Sequence, residues 1–190
     1  KKFFRLLVLL PWMIPSVVTA ATWRWMYNPV SGILNSILLS IGLIDEPLLW
    51  LSSKSMALIS IIFANIWRGF PYVMLVMLTS LQSIDTDIYE AGAIDGVNTW
   101  QKFAFLTLPN LKKSIIVVLA LTTVWEFRQI DLVKTMTGGG PGSLTEVLVT
   151  FVFKQYFQFF QFEYASAIAV VMSVIMLIIS IPYIKGILAE

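Results

Sequence analysis

Four long apolar stretches divide the chain, and polar segments bearing glycine or proline separate them. A helix needs about 20 mostly apolar residues to cross a hydrocarbon core. Phe3 to Trp25 reaches that length, with Arg5 near one end and Arg24 near the other, both able to snorkel. Pro11 and Pro15 predict kinks in it, tolerable where neighbouring helices cover the freed carbonyls. Met56 to Leu81 is the second span, interrupted by Arg68-Gly69-Phe70-Pro71. Leu111 to Leu132 is the third, but its clean apolar run, SIIVVLALTTVW, stops after twelve residues. To cross, it must take Glu126, Arg128 and Asp131 into or near the membrane. Phe162 to Ile184 is the fourth, and its pattern is the clearest.

The connecting segments have patterns of their own. In YNPVSGILNSILLSIGLIDEPLLWL, Ile33, Ile37, Leu38 and Ile41 recur at helical spacing between turn signals, which predicts a short helix lying along the membrane surface. KTMTGGGPGSLTE reads as a turn-rich, mobile loop from its glycines and Pro141. It is no phosphate-binding P-loop, because Ser143 follows Gly142 where that motif needs Gly-Lys-Ser/Thr. Orientation follows the Lys and Arg of the loops. With the N-terminus inside, Lys1, Lys2, Arg5, Lys102, Lys112, Lys113 and Lys185 fall on the inner side, and Arg24, Lys54, Arg128, Lys134 and Lys154 on the outer. Residues 82–110 are then cytoplasmic, and the loop from Thr135 to Glu146 is external.

Composition supports a membrane bundle: 58% of the 190 residues are hydrophobic and 13% charged, against about 25% charged in soluble domains. A net charge of +2 gives no reason to expect nucleic acid. Cysteine and histidine are both absent, which removes disulfides, thiolate sites and Cys- or His-based triads. No catalytic residue, metal site or cofactor is expected in this chain. Its opening, KKFFRLLVLL, lacks an initiator Met and already enters an apolar run, so one or two further spans are expected before Lys1.

The stretch EAGAIDGVNTWQKFAFLTLP, residues 90–109, is polar and sharply broken between two spans. Ile84, Ile88 and Ala91 share one helical face, and Ser83 or Asp85 can cap its start. Gly96 is placed to reverse the chain through a left-handed residue. A second short helix then carries Trp100, Phe103 and Leu106, and Pro109 marks the start of the next span. A solvated connector accounts for the charges. It leaves unexplained the small run Ala91-Gly92-Ala93 and the aromatics facing water, features that mark an interface.

Glu90-Ala91-Gly92, Gly96 and Leu106-Thr107-Leu108-Pro109 match the spacing of a known pattern. The segment resembles the EAA loop of membrane subunits in binding-protein-dependent ABC importers, with Gly92 and Leu106 as the two departures. LLPWMIPSVVTAATWRWMYNPVSGILN, NIWRGFPYVML and TGGGPGSLTE extend the likeness to the sugar-permease branch, the maltose and glycerol-phosphate type, over nearly the whole chain. The resemblance implies an all-α polytopic bundle of the type I importer class, residues 1–190 forming one permease domain with about four spans. It implies a coupling segment, about 83–107, seated on a cytoplasmic ATPase through Glu90, Ala91, Gly92, Asp95, Gly96, Trp100, Leu108 and Pro109. Partners would be a second homologous permease subunit, two ATPase subunits that hold ATP and magnesium, an extracytoplasmic binding protein, and membrane lipid. The location would be the inner membrane of a prokaryote.

Ionisable groups inside spans are functional candidates because a bare charge in hydrocarbon is costly. Arg68, Glu126, Arg128 and Asp131 are assigned to a substrate path on this ground, with Trp67, Trp125 and Tyr164 as aromatics able to stack on sugar faces. Structural roles compete with each: Arg128 with Asp131 at i, i+3 would make an ion pair, and aromatics at helical spacing pack. Arg128 also departs from the Asn-like group usual in sugar-permease relatives, and a guanidinium suits an acidic sugar. An ion-driven carrier would favour inverted repeats and acidic or His relays, and a membrane enzyme an HExxH or GxSxG string; neither is present. A permease for another polar solute is the alternative within the class.

Overall fold

The computed structural model describes residues 2–188, with side chains for 7–187. The charges of Lys1, Lys2 and Arg5 lie outside the described residues. Every regular element described is helical: α1 (Lys2–Met13), α2 (Ser16–Met26), α3 (Ile33–Ser40), α4 (Ala57–Gln82), α5 (Thr86–Ile94), α6 (Thr99–Gln101), a π-turn (Lys102–Thr107), α7 (Leu108–Phe127), α8 (Asp131–Met136), α9 (Leu148–Phe157) and α10 (Phe162–Leu188).

Three helical stretches are long and apolar enough to cross a membrane: Ala57–Gln82, Thr99–Phe127 and Phe162–Ile187. The fourth expected span is a broken pair. Leu7–Met13 and Ser16–Met26 meet at 107° across Ile14 and Pro15. Pro15 is extended, with φ −54° and ψ 140°. Its ring also drives Ile14 out of the helical region, so the ladder stops there and restarts with Thr19 N–H on the Pro15 carbonyl at 3.0 Å. Pro11 stays inside α1 without breaking it. The kink expected at two prolines is one sharp corner at the second.

The third span also differs from its expected bounds of 111–132. It begins upstream of Pro109 and ends at Phe127, leaving Arg128 beyond the helix and Asp131 at the start of α8. The membrane therefore need not accept all three charges within one helix.

The chain forms two compact units: residues up to Pro71 with Phe127–Val174, and Tyr72–Glu126 with residues from Ile175 onward. In the first, Ala20, Trp23 and Tyr27 of α2 and its cap bury against Ile61 and Ala64 of α4 and Leu132, Val133 and Met136 of α8. Both alanines are fully buried, which lets backbones approach closely without a large side chain between them. Polar clasps reinforce the pairing of α2 with α8. Ser16 Oγ donates to the Asp131 carboxylate, and Arg24 donates to the Thr135 carbonyl at 3.1 Å. Burial pushes the Tyr27 phenol up to about 12, so it stays protonated and donates to the Ser60 carbonyl at 3.2 Å.

Asn35 is the polar centre of the segment before α4. Only 2% exposed, its amide donates to the Pro29 and Leu48 carbonyls, at 3.3 and 3.0 Å. Its carbonyl oxygen accepts from Leu48 N–H at 3.2 Å and Trp50 Nε1 at 2.8 Å. The short helix expected here exists as α3, but it turns Asn35 inward and leaves Ile33, Ile37 and Ile41 exposed.

The glycine loop is closed by its own side chains and is not the loose connector its composition suggests. Thr145, 1% exposed, shares a hydroxyl–hydroxyl bond of 2.8 Å with Thr137 and donates to the Gly140 carbonyl at 2.7 Å. Lys154 of α9 holds Glu146 at 2.5 Å.

In the second unit, Leu111 and Val118 of α7 are buried. The Thr123 and Tyr183 hydroxyls meet at 3.3 Å between α7 and α10. Ile116 lies so near Gly186 that a Cβ there would stand 3.0 Å from it. Ser80 and Ser114 join α4 to α7 at 2.7 Å.

Candidate functional site

The segment from Asp85 to Pro109 is built from local rules. Asp85, extended at φ −60° and ψ 134°, accepts from Asp87 N–H at 3.1 Å and opens α5. Gly96 closes it in the left-handed region at φ +74°. Val97 N–H reaches back to the Gly92 carbonyl at 3.0 Å and Gly96 N–H to Ala93 at 3.2 Å, which is the Schellman arrangement of a glycine-terminated helix. Asn98 and Gln101 then bond reciprocally, each at 2.9 Å, in a capping box.

From Thr99 the chain does not form a separate second helix, as its pattern suggests, but runs on into the span. The π-turn is the reason it can. Pro109 has no N–H for an α-type bond, and its ring would press on the carbonyl four residues back, that of Phe105. Widening the turn before it relieves the clash: Leu108 N–H bonds the Phe103 carbonyl, five residues back, and the Asn110 amide takes the Leu106 carbonyl at 2.7 Å. Pro109 is thus inside the helical stretch and not at its border.

α5 folds back on this turn. Tyr89 and Thr107 share a hydroxyl bond of 3.1 Å, and Lys102 Nζ lies 4.6 Å from the Tyr89 ring centroid. Gly92 is buried because Leu106 lies on it: a Cβ there would stand 2.6 Å from Leu106 Cδ1. The two positions that depart from the EAA pattern therefore touch each other. Glu90, Ala91, Asp95, Gly96, Leu108 and Pro109 are all exposed. Ile94, Trp100 and Phe105 are 87%, 75% and 72% exposed, and Trp100 stacks on Phe103 at 6.0 Å. The surface is an apolar, aromatic patch edged by two carboxylates and held rigid by caps. Such a patch is built to be covered.

The assigned path residues are not gathered in this way. Trp67 packs edge-on against Trp23 at 5.6 Å and lines an apolar cavity of about 410 Å³ with Phe63, Ile66 and Phe70. Trp125 packs against Tyr72 at 4.8 Å and Tyr164 against Phe151 at 6.4 Å. Glu126 lies exposed at the end of α7. Among the described residues no ion pair joins Arg128 to Asp131, whose carboxylate is taken by Ser16. Arg128 is exposed, and Arg68 is half-buried with its Nε meeting no acceptor among the described residues. Sequence reasoning missed Ser16, Asn35 and Thr145. Only the presence of an Asn and two Thr amid apolar or glycine-rich runs hinted at the latter two.

The chain belongs to the family described as the binding-protein-dependent transport system inner membrane component, which matches residues 1–189. It is similar to the trehalose/maltose transport system permease protein MalF of Thermococcus litoralis, 37% identical over 181 residues, covering 95% of this chain and 60% of the relative. It is also similar to the sulfoquinovosyl glycerol transport system permease SmoG of Agrobacterium fabrum, 32% identical over 95% of this chain and 58% of that one. The galactooligosaccharides transport system permease GanP of Bacillus subtilis is 32% identical, over 95% of this chain and 44% of its own length. A bacterial ABC transporter that imports the acidic polysaccharide alginate has the same fold, with TM-score 0.81 and 24% identity over 96% of this chain and 63% of that one. The chain thus spans 44–63% of the length of these proteins.

Proposed function

We propose that this chain forms the solute-conducting part of an ATP-driven importer permease, and that the solute is a sugar or oligosaccharide. The exposed aromatic patch on the capped segment 86–107 carries the reading. It gives a cytoplasmic ATPase a stiff handle, centred on Trp100 with Glu90, Ala91, Asp95, Leu108 and Pro109 around it and Gly92 and Gly96 shaping it. Two such ATPases would hold ATP and magnesium, and a second permease subunit and an extracytoplasmic binding protein would complete the assembly. ATP-driven closure would favour one access state through differential contact with the handle. Relatives named for trehalose/maltose, sulfoquinovosyl glycerol and galactooligosaccharide transport support the solute class. Arg68 and Arg128 are assigned to the path because neither meets a carboxylate among the described residues.

Gly96→Val tests the reading. A left-handed φ of +74° costs an L residue with a Cβ roughly 1–2 kcal/mol, more if β-branched, which bends the handle away from its seat. The expected outcome is a membrane-inserted protein that no longer co-purifies with the ATPase or supports uptake. Normal co-purification and uptake in this variant end the proposal.

A further inference from the structure

Between α8, α9 and the glycine loop lies a cavity of about 220 Å³, lined by Lys134, Lys154, Phe153, Gln158, Thr150 and Ile130 among others. Its two ammonium groups are held differently. Lys154 Nζ pairs with Glu146 at 2.5 Å and sits against Gly139, where even a Cβ would stand only 3.1 Å from it. Lys134 Nζ lies 3.7 Å from the Phe153 ring centroid, and among the described residues no carboxylate pairs with it. Asp131, one turn earlier on the same helix, is engaged with Ser16. Of the two lysines that line the cavity, one is paired with a carboxylate and the other rests on a ring.

Lys134 is exposed, and a ring face holds an exposed cation by only about 0.5–1 kcal/mol, so it can still gain a counter-ion. We propose that this cavity binds an oxyanion, a carboxylate or a phosphate, between Lys134 and Lys154. The Gln158 amide, at the rim, supplies a neutral donor. Lysine serves here as an adaptable point charge, and what the site needs at position 134 is the positive charge. The position gives the anion two sources. Gln158 lies four residues before α10, a helix long and apolar enough to span, so a phospholipid headgroup is one source. The exposed rings of Tyr156, Phe157, Phe159 and Phe160 beside it suit either acyl chains or a saccharide face. The inference does not depend on what the chain transports.

The test uses the full-length permease with its partner chains in nanodiscs of phosphatidylcholine. The rate of Lys134 and Lys154 modification by an amine-reactive ester is read by mass spectrometry, with exposed Lys54 as the internal control. Adding glucuronate, or replacing part of the lipid by phosphatidylglycerol, is expected to slow both lysines several-fold and leave Lys54 unchanged. Glucose should protect neither. Protection by glucuronate alone assigns the anion to an acidic saccharide; protection by phosphatidylglycerol alone assigns it to a headgroup. Lys134→Gln should abolish the protection at Lys154, and Lys134→Arg should retain it. Unchanged rates under both additions, or Lys154 protection that survives Lys134→Gln, overturn the proposal.

Discussion

The segments 85–109 and 135–146 read alike in the sequence: each is polar, glycine-bearing and set between apolar runs. Their structures are opposites. The first closes all its helix ends with neighbours within a few residues, and then turns Ile94, Trp100 and Phe105 to the outside. The second buries its key side chain, Thr145, and depends on Lys154 of a later helix to hold it shut. A segment held by its own caps can carry apolar surface outward, the arrangement the proposed ATPase seat calls for. A segment that serves its own fold spends its polar groups inward.

That contrast can be broken at several points. Trp100→Ala should have the largest effect, and on association alone. A central aromatic anchor is worth at least about 2 kcal/mol at an interface, or roughly 30-fold in affinity. Detergent-solubilised complex should lose the ATPase while the thermal midpoint of the permease stays put; a lowered midpoint would make Trp100 a packing residue. Asn35→Ala should do the reverse. It orphans Trp50 Nε1 and Leu48 N–H in a part-buried site, at a cost of about 1–3 kcal/mol. Unfolding monitored by tryptophan fluorescence should shift down by that amount.

How far these features were legible follows from the range of the interactions that make them. Asp85, one of the two caps offered, and the left-handed Gly96 act within about four residues, so spacing pointed to them; the Asn98–Gln101 box is just as local, but sequence reasoning missed it. The apolar spans are legible because the membrane imposes length. The 107° corner was only half legible: two prolines announced kinks, but the break falls at Pro15 alone while Pro11 is kept within α1. Asp131 illustrates the limit. Its neighbour Arg128 invited an ion pair, yet its partner is Ser16, 115 residues away. Nothing local encodes that choice. Gly92 and Leu106 were each visible as departures from a pattern, but only the folded segment brings them into contact.

Two smaller effects sharpen the comparison. Thr145→Val removes the hydroxyl that satisfies Gly140 and Thr137 and should cost about 1–3 kcal/mol. Limited proteolysis between Gly138 and Leu144 should then become faster, while ATPase association is untouched. Cutting at the wild-type rate would show the loop held by other means. Gly92→Ala should matter least, under about 1 kcal/mol, because the atom in the way is the far end of a leucine that can rotate. Thermal midpoints of Gly92→Ala alone and combined with Leu106→Ala measure it. A large loss in the first that the second restores would mean that Leu106 is pinned.

The π-turn at Lys102–Thr107 has a mechanical consequence. A turn closed over five residues carries one residue more than a turn closed over four. Because Pro109 bars the tighter pattern, everything upstream is held turned about the axis by about one residue step, roughly 100°, from where an unbroken α-helix would set it. The rod from Thr99 to Phe127 is thus indexed near its end, and the facing of the aromatic patch is set by a single proline.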